Sequence, residues 1–222
     1  MQNIKLETYK NQINLISIPS EKIEKQIQNL KVKFLPNKSK KIEDKVKLPS
    51  FVKVFLYYIN KKNKLPTQEE FAKLFLQATT KNDKYYTPKN SEEKKALKAR
   101  IYRVYPSLIR ELHFIRKIYE DDFFEETIYN FELDLRKGFD LVVKTGKVYY
   151  GLKIFISTKR SHMYLDKKKY RQDNDVELFK LNVPFNFKDR PKNNKSDIFL
   201  YEDEDIKNIY GQIIKHLSKN IA

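Results

Sequence analysis

The chain has no cysteine, only three histidines and only four glycines in 222 residues. Without cysteine there is neither a disulfide nor a thiolate metal site, a usage that fits a reducing compartment. The histidines, His113, His162 and His216, are too scattered for a His-rich zinc centre. The glycines form no phosphate-cradling loop and no dinucleotide fingerprint. No Gly-x-Ser-x-Gly elbow is present either, which removes the usual framework for a serine hydrolase. No apolar run approaches the roughly 18 residues of a membrane span, and the first 20 residues lack the basic-then-apolar pattern of a signal peptide. The expectation is a soluble, cytoplasmic protein with no membrane partner.

What the chain does have is positive charge, a formal net of +17, unevenly placed. Residues 1–100 hold 22 Lys and one Arg against ten acids, a net of +13, whereas residues 101–222 carry +4. Such a surface attracts polyanions, nucleic acid above all, because released counterions supply much of the binding free energy. The excess of Lys over Arg is what AT-rich coding produces. Codon bias does not explain the shortage of acids in the first half. DNA is therefore the expected partner.

Hydrophobic periodicity organises the chain into three stretches. Residues 1–48 read as a basic N-terminal segment, extended or partly helical, with Ile23, Ile27 and Leu30 as a short amphipathic stripe. The stretch "PNKSKKIEDKVKLP" within it reads as a solvated linker. Residues 49–104 read as helical. Phe51, Val54, Phe55, Tyr58 and Ile59 share one face, and Thr67 with Glu70 has capping-box spacing before Phe71, Leu74 and Phe75. Two short helices across a basic turn are compatible with a DNA-contacting helix-turn-helix. Residues 105–222 read as an α/β core. Pro106 is expected to restart a helix, followed by strands at "TIYNFEL", "GFDLVVK" and "KVYYGLKIFIST", a crossover helix, strands at "VELFKLNV" and "DIFLY", and a closing helix lined by Ile206, Ile209, Ile213 and Leu217. Strands on both sides of a crossover predict a sheet of mixed pairing. The acidic "YEDEDIKN" reads as helix N-terminal charge.

Within this order Glu111 stands on the first core helix in "IRELHF", and Asp140 opens the second strand in "GFDLVV" after a glycine and an aromatic. Lys153 lies on the third strand in "GLKIF". This arrangement over roughly residues 105–217 resembles the core of the PD-(D/E)xK phosphodiesterases, the restriction-endonuclease-like superfamily that includes resolvases and transposon end-cleaving nucleases. The resemblance implies a mixed β-sheet flanked by helices, here preceded by a small helical domain. It also implies a DNA endonuclease with Mg²⁺ as cofactor. Glu111 and Asp140 would be metal ligands, and Lys153 would support the attacking water or the phosphate charge. Hard oxygen ligands suit Mg²⁺, which lowers the pKa of its bound water.

The third strand departs from the family pattern. Leu152, Ile154 and Ile156 alternate as the core side, so Lys153, Phe155 and Ser157 share the other face. Lys153 then stands where the second acid belongs, and Phe155 where the lysine belongs. Three explanations stay open. Lys153 has taken the lysine role while Glu111, Asp140 and one of Glu132 or Asp134 hold the metal. Alternatively, Lys159 supplies the amine. Or the site has decayed, and the fold binds DNA or a protein partner without catalysis. A plain Asp140–Lys153 ion pair is the simplest structural account.

Past the third strand come Thr158, Lys159, Arg160 and Ser161, then Lys167, Lys168, Lys169 and Arg171. Hydroxyls and cations just beyond a strand end suit a phosphate backbone, which they position without reading sequence. Tyr164 and Tyr170 are interleaved there as stacking platforms for unpaired bases. The combined expectation is a divergent Mg²⁺-dependent endonuclease of restriction, resolvase or mobile-element type. The alternatives are a catalytically inactive DNA-binding or assembly subunit on the same fold, or a protein–protein module. A homodimer, or a protein partner in a larger nucleoprotein complex, fits each.

Overall fold

The computed structural model describes residues 10–28, 30–81, 83–131, 133, 138–158, 178–186 and 196–221. The chain divides into two compact units. One is built from residues 15–113 and 193–199 and is helical; the other, from residues 1–14, 114–192 and 200–222, carries the sheet. Among the described residues no helix is long and apolar enough to cross a membrane.

The helical unit contains α1 (Ser20–Ile27), α2 (Phe51–Lys62), α3 (Gln68–Thr80) and the first part of α4 (Ser91–Glu120). Its core is aromatic. Phe55 meets Phe71 edge-on at 5.1 Å and Tyr105 at 5.9 Å, and Phe51 stacks on Phe75 at 4.4 Å. Ile23 and Ile27 of α1 are buried, as their spacing predicts. At the start of α3 the Thr67 hydroxyl accepts from the Glu70 N–H while the Glu70 carboxylate accepts from the Thr67 N–H, so the predicted capping box forms. Glu70 also accepts from the Tyr58 hydroxyl at 2.7 Å.

Two expectations in this unit are corrected. The stretch read as a solvated linker is pinned to α4: Ile42 is fully buried, Arg100 donates to its carbonyl, and Arg103 donates to the Asn37 carbonyl and the Glu43 carboxylate. These arginines act through planar, multidentate donation, which lysine does not reproduce. The second correction concerns Pro106, which does not restart a helix but lies inside a continuous α4. An interior proline removes the N–H that the carbonyl four residues back would accept, and here that carbonyl belongs to Tyr102. The buried Gln68 side chain replaces the missing donor at 3.2 Å, while bonding the Lys33 peptide through its carbonyl oxygen (2.8 Å) and its amide (3.2 Å).

The sheet unit contains β1 (Glu126–Ile128), β2 (Leu141–Thr145), β3 (Val148–Ile156), β4 (Phe179–Phe185) and the closing helix α5 (Asp203–Ile221). The strands stand in the order β1-β2-β3-β4; the first three are antiparallel and β4 is parallel to β3. The protein is thus mixed α/β, and the pairing is mixed as predicted. Parallel neighbours consecutive in sequence require a crossover connection; the crossover helix predicted between β3 and β4 lies outside the described residues. Gly146, at φ 62°, makes the tight β2–β3 turn, a conformation glycine adopts without penalty. On one sheet face Leu141, Val143, Tyr150, Leu152, Val183 and Phe185 are buried. On the other, Ile128, Val142, Phe139, Leu133 and Leu178 form a second cluster. Ile206, Ile209 and Ile213 of α5 are buried, Tyr150 meets His216 through its hydroxyl at 3.1 Å, and Lys117 pairs with Asp203 at 2.6 Å.

Residues 10–14 belong to the sheet unit and are tied to it by hydrogen bonds. The Gln12 N–H donates to the Tyr129 carbonyl at 2.7 Å, and the Asn11 side chain bonds both the Thr127 carbonyl and the Tyr129 N–H. A third correction falls at "DIFLY", which is not a strand. Its polar groups are taken elsewhere: the Asp197 carboxylate accepts the Val32 N–H, the Ser196 hydroxyl accepts the Ile198 N–H, and the Phe199 carbonyl accepts from Arg110.

Two predictions arise here. Gln68→Leu leaves the Tyr102 carbonyl and the Lys33 peptide without partners and destabilises the protein by on the order of 2–3 kcal/mol in urea unfolding. Adding Pro106→Ala restores an N–H to Tyr102, so the double variant recovers part of that loss and the two changes are non-additive. The second prediction concerns acid. Burial pushes the Glu70 carboxyl up, but hydrogen bonds from Thr67 and Tyr58 and the charge of Lys64 outweigh it and hold it at about 2, below the ordinary 4.5. A depressed folded value means stability that is present above pH 4.5 and lost as pH falls toward 2. The thermal midpoint of the wild type therefore falls more steeply over that window than that of Glu70→Gln.

Candidate functional site

Asp140 lies one residue before the first β2–β3 pair, Leu141 with Leu152, and Lys153 lies one residue past it on β3. The hairpin thus brings the strand aspartate and the lysine to the same end of the two strands, and both are half-buried. The backbone explains why Asp140 is held there. Its own N–H donates to the Leu152 carbonyl at 3.0 Å, and its Oδ2 accepts the Ile154 N–H at 2.5 Å. Ile154 sits beyond the reach of β2, so the carboxylate serves as the acceptor a longer strand would have provided. A charged acceptor makes such a bond strong.

Lys153 stands in register with Asn182 of β4, and Gly151 with Lys180. These four positions share one sheet face, on which Lys180, Asn182 and Pro184 are exposed. Phe139 closes the inner edge of this face. Its ring occupies the space over Gly151, where an added Cβ would come within 2.4 Å of it, and the Lys180 ammonium lies 5.8 Å from the ring centroid. Lys180 and Asn182 were not singled out in the sequence. Their signal was available in the alternation of "FKLNVPF", where Leu181, Val183 and Phe185 turn to the core and Lys180, Asn182 and Pro184 turn away. Only the parallel register with β3 shows that they stand beside Lys153.

The clean alternation expected on β3 is blurred at its end. Leu152 is fully buried, but Lys153, Ile154, Phe155 and Ile156 are all half-buried. The other proposed residues are distributed as follows. Glu111 is half-buried on α4, within the helical unit. Thr158 is exposed just past β3, where the Ser157 N–H donates to the Phe185 carbonyl at 2.9 Å. Lys159, Arg160, Ser161, Lys167, Lys168, Lys169 and Arg171 lie outside the described residues, as do Tyr164, Tyr170, Glu132 and Asp134.

Chemically, the described face offers one anchored carboxylate, two ammonium groups and an amide. Among the described residues no group of three or more His, Asp or Glu is placed to hold a metal ion. The ammonium and amide N–H groups of this face can donate to phosphate oxygens. No family model matches the chain, no curated protein matches it, and no solved structure matches it.

The anchoring role of Asp140 is testable apart from any activity. Asp140→Ala leaves the Ile154 N–H without its acceptor and costs about 1–3 kcal/mol in urea unfolding. Asp140→Asn keeps an acceptor oxygen and recovers most of that loss. Equal stability of both variants with the wild type would show that the carboxylate anchors nothing.

Proposed function

We propose that this chain is a DNA-binding protein built on a restriction-endonuclease-like core whose strand site serves to hold phosphate. The observation that carries the proposal is the face formed by Lys153, Asn182 and Lys180 beside an Asp140 whose carboxylate is tied to the β3 main chain. Lys153 stands where the nuclease pattern needs a second acid, with Asn182 in register beside it. The fold reading is supported by the order of elements: a helix, three antiparallel strands, a fourth strand parallel to the third, and a closing helix. That order underlies the resemblance to the PD-(D/E)xK group. The net charge of +17 supports a polyanionic partner.

Metal-dependent cleavage is the second reading, favoured by the meeting of Asp140 and Lys153 at one end of the hairpin. On that reading Asp140 would be a Mg²⁺ ligand, and the ion would supply an activated water. On either reading the part of Lys153 is to donate to a phosphate oxygen and offset its charge.

Two measurements separate the readings. Affinity for random-sequence duplex DNA is expected to fall steeply between about 50 and 200 mM salt, on the order of 10³-fold if six phosphates are contacted. Lys153→Gln with Lys180→Gln should flatten that dependence by about 2 in the log–log slope. Incubation with Mg²⁺ or Mn²⁺ should leave duplex, branched and single-stranded DNA intact. Cleavage abolished by Asp140→Asn would replace the binding reading with the nuclease one. Salt-independent binding, or none, would overturn both in favour of a protein–protein module.

A further inference from the structure

The strap that leads from α1 toward α2 carries an aromatic ring that the helical unit does not bury. Phe34 is 70% exposed, the highest value among the large apolar side chains of the described residues, while its neighbour Leu35 is half-buried. Singly exposed apolar residues are ordinary on protein surfaces. Two further observations distinguish this one.

The first is that the main chain holds the ring out. Before it, the Val32 N–H donates to the Asp197 carboxylate at 2.9 Å, and the Lys33 N–H and carbonyl both bond the Gln68 side chain. After it, the Asn37 carbonyl accepts from Arg103 at 3.0 Å, and Pro36 between them has its φ fixed by its ring. The backbone is tied to the helical unit on both sides of Phe34, so looseness of the strap does not account for the exposure.

The second observation is charge. Residues 30–42 hold five lysines and not one acid. Three of the five are engaged within the fold. Lys31 pairs with Asp197 at 3.7 Å and Lys41 with Glu93 at 2.8 Å. Lys33 adds its charge to that of Lys98, whose hydrogen bond holds the Glu69 carboxyl below its usual range. Lys38 and Lys40 are exposed and have no ion-pair partner among the described residues. Four residues of chain put the Cα atoms of Phe34 and Lys38 at most about 14 Å apart, so ring and cations serve one ligand.

A solvent-facing ring beside unpaired cations suits an unpaired nucleic-acid strand, whose bases stack on the ring while its phosphates meet the ammonium groups. In a duplex the base faces are already stacked on one another. A protein partner would call for a contiguous apolar patch, but here Val32 and Leu35 are half-buried and the ring stands among lysines. We infer that the strap of residues 33–40 binds single-stranded DNA, with one base stacked on Phe34 and flanking phosphates held by Lys38 and Lys40. The inference rests on the DNA-binding reading above and names the form of DNA that the helical unit takes.

The test compares oligothymidylate with a duplex of matched length, using the full chain and circular dichroism to show retained fold. Phe34→Ala should weaken single-strand binding about 10-fold or more and change duplex binding less than about 2-fold. Lys38→Gln/Lys40→Gln should lower the log–log salt slope for the single strand by about 1.4, two phosphates at about 0.7 each. The chain has no tryptophan, so Phe34→Trp carries a sole fluorophore, which the single strand should quench and the duplex should not. Tyr57→Trp on α2 should show no such difference. Wild-type single-strand affinity in folded Phe34→Ala overturns the strap assignment, as does an equal loss for both forms or equal quenching by both. Duplex binding without single-strand binding also overturns it and leaves the DNA reading standing. Absence of binding to either form overturns the DNA reading and this assignment with it.

Discussion

The carbonyl of Tyr102 is the constraint on which the helical architecture turns. Proline four residues later denies it a helical partner, and a buried carbonyl left alone would cost about 1–3 kcal/mol. The Gln68 amide supplies the missing donor and ties the Lys33 peptide to the same point. With that bond made, α4 runs unbroken through Pro106, with Tyr105 in the aromatic core of the helical unit and Ile109 and Leu112 buried after the proline.

A related economy appears on the sheet. Asp140 completes β3 by accepting the Ile154 N–H, so one carboxylate performs the work of a further β2 residue. This shapes the functional argument. A residue that resembles a catalytic aspartate also has a main-chain duty, and its presence at the strand start is accounted for by hydrogen bonding before any metal is considered. The surrounding face then matters more than the motif. Lys153, Asn182 and Lys180 are donors, and donors in register on adjacent strands suit a phosphate oxygen more than a hard cation. The arginines of the helical unit behave differently: Arg100, Arg103 and Arg110 all bond main-chain carbonyls, and so hold the fold.

Local structure was legible in the sequence wherever apolar periodicity and local chemistry agree. The α2 and α3 stripes, the Thr67–Glu70 box, the Gly146 turn, β2 and β3, and the α5 stripe are all set by neighbours within a few positions. The mixed pairing of the sheet was legible from the order of elements. The misreadings share one cause. Pro106, the stretch around Ile42, and "DIFLY" each satisfy their polar groups with residues distant in sequence: Gln68, then Arg100 and Arg103, then Val32 and Arg110. No local pattern reveals such partners. For the site, Asp140 and Lys153 were legible as a hairpin pair, whereas Lys180 and Asn182 were not, because parallel register between β3 and β4 is a long-range fact.

The sequence by itself determined which residues point inward on each element, where the chain turns, and that the surface is strongly cationic. These are properties of side-chain spacing, backbone freedom and counted charge. The tertiary structure decided which donors stand beside which acceptors. It turned a presumed helix break into a continuous helix through one glutamine, and made an aspartate an anchor for its neighbouring strand. It also set two lysines and an asparagine on one face. Hydrogen bonds and charge clusters depend on positions far apart in the chain meeting in space, and only the packed structure specifies those meetings.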